Sequence, residues 1–503
     1  MRRFGRWRSS AVCFGCPAFS DQPAAARRDY GEHKTMFKKI LKITGLVVLA
    51  LVILFLVVVG PWPVYKDSRF QSAGYYKRAL AALEDNMRTQ HLTAEPGRLQ
   101  AGWATRIITP KVGTPLGGYG NRRGAPSTGV RDDLYTKVLV LHDGNDTVAI
   151  VGTDLLLVPP NVADIVRNKA GDKTGLTANE IYFTASHTHC GPGAWAPGIA
   201  GYVTGGKYDP SLVDFLGNTI ADAVIEAHAR LKPAKLAHNA VDAPQHIRNR
   251  TRKAPIDTEL SFVLVEQDAG DKCYVVRYSA HPTVFSGRMM EFSAEFPGAL
   301  QRYLESATGA TALYLGGALG SSGPVAPEGP NASARVDAMG EALAKLVLEN
   351  SADLEFHTHL DIASAGAEIG MPSMQMRPFA TKSKWRVSPL LGKVFGVPPL
   401  GWVHAVRVGD LMFIGTPFDF SGETSKEWKE WAARRNITLW PTSFSAAYCG
   451  YLSPDRYYWE EPLNYETGLM SWFGPNMEAY FTALLHRATE LMYPPQALTA
   501  LAQ

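Results

Sequence analysis

The chain has 503 residues, 46% hydrophobic and 19% charged, the balance of an ordinary folded protein with enough apolar material for one large domain or two medium ones. Its formal net charge of +4 is local, because residues 1–42 hold ten Lys and Arg against three Asp and Glu and leave the remainder slightly acidic. A general nucleic-acid-binding surface is therefore excluded, and five scattered cysteines exclude a disulfide framework.

In chain order, residues 1–35 are Arg-rich without periodic hydrophobics and read as a disordered basic leader; Met36, which opens the sequence MFKKILK, is an alternative translation start. The pair Cys13 and Cys16 inside that leader carries no reading. From Ile43 to Val59 no charged residue occurs, and Lys38, Lys39 and Lys42 stand directly before. About 20 apolar residues cross a hydrocarbon layer of roughly 30 Å, and flanking lysines favour a cytoplasmic N-terminus. Residues 36–62 are thus predicted to be a signal-anchor transmembrane segment, with residues 43–60 in the membrane and the bulk of the chain on the periplasmic or extracellular side. A cleaved signal peptide is the alternative, although GPWPVY offers no small-x-small cleavage pattern. Residues 63–99, with helical spacing at Tyr76, Leu80 and Leu83, predict a stalk.

From residue 100 to about 495, strand-like runs alternate with helical ones such as 210–231, which predicts one large mixed α/β domain of β-sheets flanked by helices. A hairpin recurs three times, turning at Gly144, Gly270 and Gly409 and ending on Asp154, His281 and Asp419 after ten, eleven and ten residues. Each hairpin delivers one polar side chain from the end of its returning strand. Asp154 to His187 spans 33 residues and Asp419 to Tyr451 spans 32, so a degenerate duplication relating residues 135–190 to 403–455 is expected.

The sharpest motif is SHTHCGPG at 186–193. On extended backbone, residues i and i+2 share a face, so His187 and His189 address one pocket, one as ligand and the other as acid/base or supporting group. His281 in SAHPT ends another apolar run, and a shared metal accounts for both sites. Zinc with two imidazoles takes a carboxylate and keeps a position open for water. Asp419 meets that need; Asp154 competes, with a capping or hydrogen-bonding role as its alternative. Tyr451 is placed either as a ligand or as a donor to a developing oxyanion.

The segments RIITPKVGTPLGGYG (106–120), SHTHCGPG, SAHPT, FSAEFPG (292–298), GALGSSGP (317–324) and GYLSPDRYYWEEPLNYETGLMSWFGPN (450–476) together resemble the catalytic domain of the neutral, non-lysosomal ceramidases over residues 100–480. The resemblance implies a Zn2+ shell of His187, His281, an acidic residue and Tyr451, with His189 and Arg250 beside the substrate carbonyl. It implies attack by water or a serine on an N-acyl amide, ceramide or a related lipid being the substrate. Departures accompany it. Asp419 stands where the family has Glu, Gly323 where it has its serine, and Cys190 where it has a serine after the second histidine. Ser322 is the nearest replacement nucleophile, displaced by one residue. The readings that follow are a zinc-dependent amidohydrolase, a zinc hydrolase of another acyl bond, and a catalytically silent lipid-binding ectodomain.

Overall fold

A computed structural model describes residues 24–65, 69–88, 90, 92, 96–379 and 381–494. The first part of the basic leader, with Cys13 and Cys16, lies outside the described residues. Helix α1 (Ala24–Val58) begins inside the segment expected to lack structure, because Ala, Arg, Glu and Lys there are good helix formers. Within it, His33–Val58 is long and apolar enough to cross a membrane, with a mean hydropathy of 2.9, and fits a signal anchor or a membrane span. The chain divides after Val57 into this helical unit and a second unit that begins at Val58.

The second unit opens earlier than residue 100. Helix α2 (Gly74–Met87) is not a free stalk: Ala79, Leu83 and Met87, spaced four apart on one face, are buried against a sheet of the globular unit. Exposed polar residues on its other face gave the segment the look of a linker.

Twelve strands then form two sheets. They fall into three sets of the same order: β1 (Gln100–Ile107), β2 (Tyr135–His142), β3 (Thr147–Thr153), α3 (Pro160–Thr174), β4 (Ile181–Ala185); after α4 (Pro210–Ala229), β5 (Lys232–Asp242), β6 (Glu259–Gln267), β7 (Lys272–Tyr278), α5 (Glu295–Thr308), β8 (Thr311–Gly316); and, after α6 (Ala332–Glu349), β9 (Ile362–Gly370), β10 (Leu400–Val408), β11 (Leu411–Thr416), α7 (Gly422–Ala433), β12 (Thr438–Ser443). In every set the first three strands pair antiparallel and the fourth, reached through a helix, pairs parallel with the third. The parallel step needs the helix, because a tight turn cannot return a strand in the same direction. The turn glycines 144, 270 and 409 all have positive φ, as the hairpins require.

The first two sets join edge to edge at β1 and β5 into one eight-stranded sheet, ordered β8-β7-β6-β5-β1-β2-β3-β4, and the third forms a four-stranded sheet, ordered β9-β10-β11-β12. The duplication expected between residues 135–190 and 403–455 is present as topology, and residues 259–316 form a third copy.

The two sheets pack face to face through Leu139, Ile150, Val263 and Val275 on one and Val406, Phe413 and Trp440 on the other. The outer face of the large sheet is covered by α3 and α4 on one half and by α5 and α6 on the other. The outer face of the small sheet is covered by α2 and α8 (Met477–Met492). Four layers result: helices, sheet, sheet, helices. Buried on both faces, β2, β3 and β7 are apolar almost without interruption, as their sequences are.

Candidate metal centre

Asp154 lies just past β3, His187 just past β4, His281 just past β7 and Asp419 just past β11. Returning strands of all three sets thus end in polar residues, in line with the hairpin intervals. His187 adopts φ +64°, which breaks the strand direction and turns its ring inward. Its face stacks on Phe444, with centroids 4.3 Å apart.

His187, His189 and His281 converge into a group that can hold a metal ion, their ligand atoms all within 4.8 Å of one another. Nε2 of His189 lies 2.8 Å from that of His281 and 3.3 Å from that of His187. Nδ1 of His187 is 2.6 Å from the Leu156 carbonyl, and Nδ1 of His281 is 3.0 Å from the Leu319 carbonyl. A carbonyl can only accept, so each Nδ1 carries the proton and each Nε2 offers a lone pair to the shared centre. Burial pushes His187 down to about 3 and carries His189 and His281 well below the ordinary imidazole range, which keeps the rings neutral.

Asp419 Oδ2 lies 3.8 Å from His187 Nε2, and its buried carboxylate oxygens make no geometrically complete hydrogen bond, although the Tyr451 hydroxyl acts on the carboxyl. Burial lifts this carboxyl to about 6 against the pull of Arg250 and Tyr451. A buried carboxylate short of hydrogen bonds costs free energy that a cation would offset. A metal therefore fits the donor set: two imidazole nitrogens freed of their protons, a third neutral imidazole beside them, and this carboxylate.

Residues 419–420 pair in parallel with 451–452, which sets Asp419 beside Tyr451. Arg250 Nη2 donates to the Tyr451 hydroxyl at 3.3 Å and, with Nε, to the Gly320 carbonyl at 3.0 and 3.3 Å. The fold thus brings Arg250, Tyr451 and Asp419 together beside the imidazoles. Ser322 is placed differently. It pairs with Asn249 in a short antiparallel ladder, and its buried hydroxyl has no hydrogen-bond partner and packs by Gly422, where an added Cβ would come within 2.6 Å of it. Alternation along the strand turns the next position, Gly323, toward the Arg250 side chain instead. The one-residue displacement from the family serine aims Ser322 into the packing.

Asp154 takes the hydrogen-bonding role that was its alternative, accepting from the Tyr135 amide at 3.0 Å and from Gln301 at 3.3 Å. Cys190 is buried with its thiol pushed up to about 12 by burial, and Arg122 lies 3.7 Å from its sulfur. It does not neighbour Cys449, which packs in a separate core cluster. Of the aromatic stretch 440–475, Trp440 and Tyr458 are core, Tyr457 stacks under the Arg252 guanidinium, and Trp459 is partly exposed.

Three supporting residues went unread in the sequence. Arg122 is buried and donates to the carbonyls of Gly117, His189 and Met289, tying the His189 loop to two other segments. Gly118, at φ +90°, leaves room that a Cβ would fill at 2.7 Å from the His189 ring. Glu295 accepts from the amides of Val284, Phe285 and Phe296 and so fixes the loop after His281. Arg122 shows no periodicity or spacing to read. The segments of Gly118 and Glu295 stood out only as parts of family motifs.

Residues 100–257 match the family model described as neutral/alkaline non-lysosomal ceramidase, N-terminal. The neutral ceramidase of rice is 23% identical over 262 residues, which cover 48% of this chain and 33% of the rice protein. That of Mycobacterium tuberculosis is 27% identical over 126 residues, 24% of this chain and 20% of that protein. The chain therefore matches about a third or less of the length of these relatives. Among solved structures, the neutral ceramidase from Pseudomonas aeruginosa superposes with a TM-score of 0.66 at 17% identity, over 80% of this chain and 75% of that one. A ceramidase complexed with C2 gives the same score over 78% and 75%. At such identity the superpositions show a shared fold.

Proposed function

We propose that this chain, which resembles the neutral/alkaline non-lysosomal ceramidases in motifs and shares their fold, is a zinc-dependent hydrolase cleaving the N-acyl amide bond of ceramide or a related N-acyl lipid. The observation that carries the reading is the convergence of Nε2 of His187, His189 and His281, with the first and third freed of their protons by carbonyls at Nδ1, beside the buried Asp419 carboxylate. His187, His281 and Asp419 are the proposed ligands, with Tyr451 at the edge of the shell. When bound, the metal would polarise the scissile carbonyl and lower the pKa of a water toward about 7.

The remaining roles fall to the chain itself. Arg250 and Tyr451, already hydrogen-bonded to each other, are two donors placed to face the oxygen on which charge develops. His189 differs from the other two histidines in that its buried Nδ1 makes no geometrically complete hydrogen bond, so it is the imidazole suited to move a proton. Gly323 in place of the family serine, with the Ser322 hydroxyl turned to Gly422, makes water the attacking group.

The missing serine also favours a second reading, hydrolysis of a different acyl bond at the same centre. The test is metal content by mass spectrometry and hydrolysis of N-acylsphingosine, on the full chain and on His281→Ala. One equivalent of zinc with turnover, both lost in the variant, supports the amidase. Zinc without turnover moves the assignment to another acyl substrate, and absence of zinc supports a silent lipid-binding domain.

A further inference from the structure

Residues 371–400, between the first and second strands of the small sheet, contain five Lys and Arg and no Asp or Glu. Within the segment, Phe379, Trp385, Leu390, Val394 and Phe395 are exposed, Phe379 and Val394 by more than half. Lys382, Lys384 and Lys393 are exposed among them. An opposing charge is Glu461, whose carboxylate accepts from Ser383 and lies near Lys382 and Lys384. An apolar, aromatic and basic surface of this composition matches the interfacial region of an anionic membrane.

Chain continuity places the same surface close to the apolar helix in sequence. Trp62 and Pro63 pair antiparallel with Trp385 and Arg386, and the Val59 carbonyl accepts from the Ser388 amide at 2.9 Å. The Tyr65 amide donates to Gln375 at 2.6 Å, and the Tyr65 ring is 57% exposed. Only Val59 to Pro61 separate the end of α1 from this strand in sequence. Interior hydrogen bonds tie the segment to the loop beside Tyr451: the Arg377 amide donates to the Gly468 carbonyl, its buried guanidinium reaches the Thr467 carbonyl, and the ring of nearby Tyr465 lies 6.0 Å from the Tyr451 ring.

From this we infer that Phe379 and residues 381–395, with Tyr65, form a collar that seats in the headgroup region of an anionic bilayer. The inference rests on residues 43–60 being a retained anchor and on a lipid substrate only for its purpose, not for its test. Depth of seating, not hydrolysis, is what the experiment reads.

The full chain, with Cys13→Ser and Cys16→Ser, is reconstituted into vesicles of phosphatidylcholine and phosphatidylglycerol and labelled with nitrobenzoxadiazole at Val394→Cys, or at Phe395→Cys if the first folds poorly. The reference label sits at Asn145→Cys, on a hairpin turn at the other end of the strands. The expected result is blue-shifted emission at 394, quenching by doxyl-labelled lipid, and protection from aqueous iodide that the reference label lacks. Each lysine contributes roughly a fivefold gain in partition toward an anionic surface, so K382E/K384E/K393E should bring the 394 label to the reference level. Iodide quenching of the wild-type 394 label equal to that at 145 overturns the inference. So does protection that appears in detergent and rises with protein concentration, which would identify a second copy as the occupant. A chain released from the vesicles by alkaline carbonate overturns the anchor itself, a separate outcome.

Discussion

At the scale of single residues, the centre depends on positions outside the proposed ligand set. Gly118 is the sharpest case, since alanine there would sit at φ +90° with its Cβ against the His189 ring. A left-handed alanine costs about 1–2 kcal/mol, and the ring has to move besides. Gly118→Ala should therefore retain cooperative unfolding while losing about 10–100-fold in turnover, the usual size for groups that orient a metal site; kinetics and a thermal melt on one preparation decide it. Arg122→Met should behave alike for a different reason, releasing the carbonyls of Gly117, His189 and Met289 at once. Unchanged zinc affinity and unchanged turnover in both variants would remove these residues from the positioning role. The imidazoles and Asp419 were legible because His-x-His and strand-end polar residues carry a spacing; Gly118, Arg122 and Phe444 were not, because a buried donor or an open space leaves no mark in a single sequence.

Between elements, the sheets are tied by a buried ion pair. Arg277 on β7 donates to Asp257 at 2.7 Å and to the Pro441 carbonyl of β12 at 2.9 Å, and Ser425 and Lys429 of α7 complete the carboxylate's shell. Burial alone would raise the Asp257 carboxyl; Arg277 and Lys429 outweigh it and hold it well below the ordinary range. Asp257→Asn leaves Arg277 buried with no counter-charge at hydrogen-bond distance and should cost about 3–5 kcal/mol at neutral pH. Because the folded pKa is depressed, the stabilisation is full above the unfolded value of about 3.9 and fades as pH falls toward the folded value. Urea unfolding of wild type and variant at pH 7 and below pH 4 should therefore show the gap narrowing on acidification; a gap that widens would contradict the assignment. Helix α2 offers a second test at this scale. Leu83 is 1% exposed against the small sheet, so Leu83→Ala should destabilise by about 2–5 kcal/mol. A stalk residue would change stability by less than about 0.5 kcal/mol.

For the whole molecule, the open question of chain organisation is whether the apolar helix stays attached. Helix α1 alone meets the length and hydropathy for a span among the described residues. The anchored reading predicts that full-length chain remains in the membrane pellet after alkaline carbonate and that its N-terminal mass includes residues 36–59; a mature terminus after Gly60 would establish a cleaved signal instead. What the sequence by itself determined follows from local rules. Uninterrupted apolar runs gave the buried strands, charge-free length gave an apolar helix long enough to cross a membrane, glycine turns gave the three hairpins with their polar termini Asp154, His281 and Asp419, and the His-x-His motif gave His187. What only the tertiary structure decided depends on which surfaces meet. The sequence could align the three hairpins but carried the correspondence on to a fourth strand for only two of them, because residues 259–316 have the same topology without the same polar endpoint after their last strand. It could propose Ser322 but not its direction, since one residue of register on a strand exchanges the two faces. It could not place α2 in the fold, because an amphipathic helix looks alike whether its apolar stripe faces a sheet or a partner yet to come.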